Sequence, residues 1–238
     1  RQFGFRKQKS TCDAISILIQ AAKTATSKSR GSLYALFVDF TTAFDTVNRN
    51  LLLKKLKQRF GLEESYIRLF ECLLRENYIV FKHKQCQCGR FHGKRTIIKQ
   101  NVGVLQGDGL SPLFFIIYID DMIQEIEEKC PTAPLLLYAD DTVIYSESRD
   151  DLKNAITVMA NWCERNHISI NISKTKVMKF RRGGHLARDD FFEINGSPIE
   201  ITSEYVYLGV TMQTGLSFHK QIKRVCAKAA AKTGKLSS

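Results

Sequence analysis

The sequence is short of the features that break a chain up or direct it elsewhere. Four prolines in 238 residues, with no internal repeat and no low-complexity tract, exclude a linker-jointed or solenoid chain and predict a compact fold. The longest apolar run, LFFIIYI at 113–119, is far below the length of a membrane span, so no membrane partner is expected. No basic-then-apolar leader is read at the start, which signals neither secretion nor organelle import and points to an intracellular protein. A first residue of Arg1 rather than methionine suggests a segment of something longer. Acidic residues are the minority, 24 against 36 basic ones for a net charge of +12, which suits a polyanion such as nucleic acid better than a small metabolite. Seven cysteines, an odd and scattered set, argue against a disulfide scaffold and for free thiols in a reducing compartment. The one cluster, His83, Cys86, Cys88 and His92 in HKQCQCGRFH, offers zinc-ligating side chains, but C-x-C is tighter than the usual zinc knuckle and polar strand cysteines are the plainer reading.

What is present is an interleaving of helix and strand patterns. AISILIQAAKTA (14–25) places Ile15, Leu18 and Ile19 at helical spacing, and SLYALFVDF (32–40) is a short run of strand formers ending near Asp39. NRNLLLKKLKQRFG reads as a helix capped by Asn50 and stopped by Gly61. A second helix, EESYIRLFECLLREN, follows it, and KRTIIKQNVGV resembles a strand broken by the glycines of QGDG. Ser111 and Pro112 open a helix that is apolar nearly all round as far as Asp120. DLKNAITVMANWCERN carries Leu152, Ile156, Met159 and Cys163 on one stripe. HISINISKTKVMKF and YVYLGVTM read as strands, Asn195-Gly196 as a hairpin turn, and a basic helix closes the chain. This order predicts an α+β fold, an antiparallel sheet with helices packed on one face.

Four Asp-Asp pairs stand out, and context separates them. Asp150-Asp151 begins a helix, where acids favour the positive end of the dipole. Asp120-Asp121 marks where the buried helix turns amphipathic, and Asp189-Asp190 lies in a polar loop. Only Asp140-Asp141, in PLLLYADDTVIYSES, interrupts two apolar strands. A tight turn prefers Asp-Gly or Asn-Gly, so backbone geometry does not account for Asp-Asp before β-branched Thr142. Two carboxylates at about 4 Å repel by about 4 kcal/mol at an effective dielectric near 20, and hard divalent cations are the natural compensation. With Asp39 at a neighbouring strand end, the set suits two magnesium ions about 3.5–4 Å apart. The alternative is an ordinary solvated hairpin tip.

Beyond these readings, FVDFTTAFDTV (37–47), GVLQGDGLSPLFF (103–115), YADD (138–141), NISKTKV (171–177) and YLG (207–209) resemble, in order, the five palm motifs of reverse transcriptases. The likeness is to the LINE-type, non-LTR retrotransposon group, whose late-fingers segment QFGFRKQKSTCDAI resembles. It departs from the group's usual pattern at Gln8, Lys9 and Leu105. The resemblance implies that Asp39, Asp140 and Asp141 hold two magnesium ions, with manganese as the alternative, and that the Phe40 carbonyl joins one of them. Phe44 matches the gate against a ribose 2′-hydroxyl. Gln106 and Gly107 match the loop that meets the nucleotide and the templating base. Lys174 matches the lysine that protonates pyrophosphate, with Lys176 close enough in sequence to compete. Tyr207, Leu208 and Gly209 match the primer grip, and Arg6 a fingers arginine near the nucleotide.

The implied architecture is a right-hand polymerase palm with partial fingers and thumb. Residues 1–31 would be late fingers and 32–180 the palm, its carboxylates carried on 32–60 and 100–180 around an insertion at 61–99. Residues 181–215 would form the primer-grip hairpin region and 216–238 the start of the thumb. The implied partners are an RNA template, a DNA primer and deoxynucleoside triphosphates, in an intracellular setting that for this group is the nucleus, with the cytoplasm as the alternative. Rival expectations are an inert nucleic-acid-binding relic lacking the upstream fingers, and another palm enzyme such as a nucleotidyl cyclase or an RNA-copying polymerase.

Overall fold

The computed structural model describes residues 2–75, 77–82, 95–105, 107–183 and 190–234. His83, Cys86, Cys88, His92 and Gln106 lie outside the described residues. In chain order the elements are α1 (Thr11–Ser27), β1 (Ser32–Val38), α2 (Arg49–Phe60), α3 (Glu64–Arg75), β2 (Tyr78–Lys82) and β3 (Arg95–Lys99). Then come α4 (Ser111–Lys129), β4 (Leu135–Tyr138), β5 (Asp141–Ser146), α5 (Arg149–Arg165) and β6 (Lys176–Arg181). The short strands β7 (Glu193–Ile194), β8 (Ser197–Pro198), β9 (Glu200–Ile201), β10 (Glu204–Tyr207) and β11 (Val210–Gln213) precede α6 (His219–Gly234). The chain divides into two compact units, residues 1–41, 120–165 and 169–238, and residues 42–119 and 166–168.

The first unit is built on a five-stranded sheet in the order β4-β5-β1-β6-β9. Its pairings are antiparallel except that of β6 with β9, which is parallel. Leu33 to Val38 are all buried, as a central strand covered on both faces requires. On one face Leu33, Ala35, Phe37, Met178 and Phe180 pack with Ala14, Leu18 and Ala22 of α1, the small alanines letting helix and sheet approach closely. Burying a side chain such as Leu18 or Phe180 contributes about 1.5–3 kcal/mol. α1 is held at its start by a capping box between Ser10 and Asp13, a device that contributes about 1 kcal/mol. On the other face Tyr34 meets Phe192 at 5.8 Å, and α5 touches β1, β5 and β7. Helices therefore lie on both faces, where the sequence reading expected one; the unbroken apolar run of β1 was the signal of it.

Other elements correct the sequence reading locally. YVYLGVTM is the hairpin β10–β11, turning at Leu208 (φ 46°) and Gly209 (φ 82°), rather than a single strand. HISINISKTKVMKF is a strand only from Lys176, because residues 172–174 form a turn. The Asn195-Gly196 hairpin stands, with positive φ at both residues.

In the second unit, α2 is capped by Asn48, whose Oδ1 accepts from the Leu51 amide at 3.1 Å, not by Asn50. Gly61 ends it in the left-handed region. β2 and β3 pair as an antiparallel ribbon. Buried Arg49 donates to the carbonyls of Gly103 (2.8 Å), Leu74 (2.5 Å) and Gln100 (2.5 Å), and so ties α2 to the end of α3 and to the loop after β3. The Lys55 ammonium, also buried, donates to the Tyr118 carbonyl and to Asn166 Oδ1.

Candidate active site

The register of the sheet brings three separated acids to one end of it. β1 and β5 pair with Val38 opposite Thr142, so one further step sets Asp39 across from Asp141. β4 and β5 pair with Tyr138 opposite Asp141, which leaves Ala139 and Asp140 as a two-residue turn. Asp140 and Asp141 are exposed, and Asp39 keeps 35% of its side-chain surface. Partial burial first, then the charges of Asp140 and Asp39, push the Asp141 carboxyl up from 3.8 to about 6. Burial is the larger cause, and the neighbouring charges of Asp140 and Asp39 add to it.

Members of the other acid pairs are used structurally. Asp121 accepts from the Trp162 indole at 3.0 Å. Asp190 accepts from Lys179 at 2.8 Å and from the Tyr34 hydroxyl at 2.9 Å. Asp150 and Asp151 lie in the first turn of α5. Among the described residues, no side chain donates to the carboxylates of Asp140 or Asp141. An all-oxygen donor set with an excess of negative charge at strand ends fits a hard divalent cation. Among the described residues, no group of three or more His, Cys, Asp or Glu side chains stands close enough to hold a metal ion as placed.

One cation approaches the cluster. Lys174 Nζ lies 3.7 Å from Asp39 Oδ2, carried on a turn in which the Lys174 and Thr175 amides donate to the Asn171 carbonyl. Lys176, the competitor in sequence, is occupied by the Ser173 carbonyl (2.6 Å) and Glu200 (2.7 Å). The same loop fixes the Asp39 backbone: its amide donates to Thr175 Oγ1 at 3.2 Å, and its carbonyl accepts from the Asn171 amide at 2.8 Å. Phe40 is 6% exposed and bridges Ile170.

The β10–β11 hairpin packs beneath the acids. Tyr205 stacks on Phe37 at 4.3 Å, and burial followed by the charges of Asp141 and Asp39 raises its phenol. Tyr207 is 2% exposed and lies 5.6 Å from the Phe37 ring. Its hydroxyl has no hydrogen-bond partner among the described residues, and its phenol is pushed up by burial and then by Asp141. Tyr207 is thus a core side chain, and only the Leu208-Gly209 turn of the expected primer grip is on the surface side. Gln221 ties α6 to this hairpin through the Thr211 amide at 2.9 Å. Arg6 is exposed.

The remaining expected positions belong to the second unit. Phe44 stacks on Phe115 at 4.8 Å, and its carbonyl accepts from the Val104 amide at 2.8 Å. Gly103 (φ 80°) could carry no side chain, since a Cβ there would meet the Asp45 carbonyl oxygen at 2.5 Å. Gly107 has φ 89° and open space around it, which permits close backbone approach by a ligand.

Sequence reading missed Gln2, which is 5% exposed. Its Oε1 accepts from the amides of Ala139 (3.0 Å) and Gly4 (2.8 Å), and its Nε2 donates to the Ala139 carbonyl at 3.4 Å. A partner 137 residues away leaves no local pattern to find.

Comparison with known proteins gives the family and the fold. Over 93% of this chain and 24% of its own length, the "Probable RNA-directed DNA polymerase from transposon BS" of Drosophila melanogaster is 27% identical. The "RNA-directed DNA polymerase from mobile element jockey" of the same fly is 26% identical over 99% of this chain and 25% of its own length. The chain therefore spans about a quarter of the length of these relatives. A solved telomerase from Candida tropicalis, in complex with a fragment of telomeric RNA, shares the fold with a TM-score of 0.61 at 17% identity, covering 88% of this chain and 32% of that one. The model of the family "Reverse transcriptase (RNA-dependent DNA polymerase)" matches residues 1–212, and this chain belongs to the reverse transcriptase family.

Proposed function

We propose that this chain is the catalytic palm of a non-LTR retrotransposon's RNA-directed DNA polymerase, adding deoxynucleotides to a DNA primer on an RNA template. The observation that carries the reading is the pairing of β1 with β5, which sets Asp39 across from Asp141 beside the Asp140 turn. In the reaction the primer 3′-oxygen bonds to the α-phosphorus and the bond to the pyrophosphate oxygen breaks. Asp39, Asp140 and Asp141, with the Phe40 carbonyl, would hold two magnesium ions, or manganese in their place. Such ions lower the pKa of the attacking hydroxyl and stabilise the leaving oxygen. Lys174, already drawn to Asp39, supplies the proton for pyrophosphate. Phe44 is the group that excludes a 2′-hydroxyl, its ring held by Phe115 and its backbone by Val104. Gln106 and Gly107 meet the incoming nucleotide, with Arg6 a further contact, and the Leu208-Gly209 turn meets the primer strand. The exposed Lys223 and Lys228 of α6 run along a nucleic-acid backbone.

In domain terms we assign 32–60 and 100–180 to the palm, 1–31 to late fingers, 61–99 to an insertion, 181–215 to the primer-grip region and 216–238 to the start of the thumb. The setting is the nucleus, where the template would be copied. The test is extension of a DNA primer on an RNA template with magnesium, comparing the chain with Asp140→Asn. Losing a carboxylate that contributes several kcal/mol to transition-state stabilisation lowers the rate by about a hundredfold or more. Extension that Asp140→Asn leaves untouched, or that prefers ribonucleotides, overturns the reading.

A further inference from the structure

We propose that Gln2 is a positioning residue for the catalytic carboxylates, its buried carboxamide clamping the peptide that precedes Asp140. The proposal rests on the metal-binding reading of Asp39, Asp140 and Asp141.

Three observations make it. First, the turn that presents Asp140 is built on a residue ill suited to it. Ala139 has φ 58°, a conformation that costs a residue with a Cβ about 1–2 kcal/mol, and the mutual repulsion of the acids adds to the tendency of the turn to open. Second, Gln2 grips both polar groups of Ala139, accepting from its N–H at 3.0 Å and donating to its C=O at 3.4 Å. Its Oε1 is shared with the Gly4 amide at 2.8 Å. Third, the segment carrying Gln2 is itself fastened to β4, the outer strand of the sheet. Gln2 forms a parallel bridge with Leu137, and the Phe3 amide donates to the Leu137 carbonyl at 2.7 Å. Phe3 is 7% exposed and anchors the segment in the core. Gly4 allows the approach, because a Cβ there would stand 2.5 Å from the Ala139 nitrogen.

A glutamine that merely filled space would not pair with the donor and the acceptor of a single strained residue. The clamp fixes the direction in which the Asp140 and Asp141 side chains leave the turn, and hence the fit of a divalent ion among the three acids.

The test uses Gln2→Met, which keeps the length of the side chain and removes all three hydrogen bonds. Manganese affinity is measured by electron paramagnetic resonance at a temperature where circular dichroism shows the variant folded. The expected result is binding weakened about tenfold, the usual cost of losing an outer-shell partner. In the Gln2→Met background, Ala139→Gly recovers most of that loss, since glycine adopts the turn without penalty. A folded Gln2→Met chain that binds manganese within about twofold of wild type overturns the proposal, as does a loss that Ala139→Gly leaves unchanged. If Gln2→Met does not fold, hydrogen exchange of the Ala139 amide in the unaltered chain decides. Protection of about a hundredfold or more supports the clamp, and exchange at the rate of an open loop overturns it. A wild-type chain that fails to bind manganese refutes the metal reading instead, and the Ala139 amide then reports on the clamp independently.

Discussion

Replacing Asp141 with asparagine should stabilise the metal-free protein at neutral pH while weakening its response to magnesium. The folded-state pKa of Asp141 is about 6 against an ordinary value of 3.8, so ionising this group works against folding. Its contribution is fully favourable below about pH 4 and is lost as the pH rises through about 6. The full shift corresponds to about 3 kcal/mol. Asp141 is an exposed residue, however, and solvent screening reduces the figure to about 1–2 kcal/mol. The assay is urea unfolding at pH 4.5 and pH 7, followed by the fluorescence of Trp162, which is the single tryptophan of the chain and 1% exposed. Subtracting the variant from wild type cancels carboxylates such as Glu125, whose lowered pKa gives the opposite trend. At pH 7 without divalent ions, Asp141→Asn is expected to be more stable by about 1–2 kcal/mol, and the gap should narrow to about half or less at pH 4.5. Saturating magnesium should then stabilise wild type more than the variant, because only the intact acid set binds it well. An equal gap at both pH values, or none at pH 7, would refute the claim that burial and the neighbouring acids oppose ionisation of Asp141.

Other substitutions probe the surroundings of the site. Tyr207→Phe removes a buried hydroxyl that has no partner among the described residues, so its urea stability should be unchanged or higher by about 1 kcal/mol, and a clear loss would reveal a hidden partner. Arg49→Ala strips a buried guanidinium from the carbonyls of Leu74, Gln100 and Gly103 and should cost about 3 kcal/mol or more in the same assay. Phe44→Ala should raise ribonucleotide incorporation relative to deoxynucleotide in primer extension, and unchanged discrimination would remove Phe44 from the role of gate. Lys174→Ala should slow extension more than Lys176→Ala does, since only Lys174 faces Asp39 while Lys176 is tied to Glu200.

How far the sequence could be read depends on the range of the physics involved. The apolar run of β1, the stripe of α5 and the Asn195-Gly196 turn are local signals, and the structure follows them. The pair Asp140-Asp141 was legible because it violated turn chemistry. The cap of α2 was misread by two positions: Asn50 abuts the apolar run, but capping geometry needs an oxygen three residues before the amide it accepts from, which Asn48 provides. The hairpin at Leu208-Gly209 hid because leucine seldom adopts a positive φ, so the glycine passed for part of a strand. Tyr207 turned out to be interior because the strand's alternation points it at Phe37. The parallel β9 and the Gln2 clamp depend on pairings between distant segments, which no window of sequence contains.

Asp39, Asp140 and Asp141 should act together on divalent metal. Manganese titration of the chain beside Asp39→Asn and Asp140→Asn, read by electron paramagnetic resonance, tests it most directly. Each substitution should weaken binding by about tenfold or more while Trp162 fluorescence reports an intact fold. Manganese affinity indifferent to either change would contradict the account.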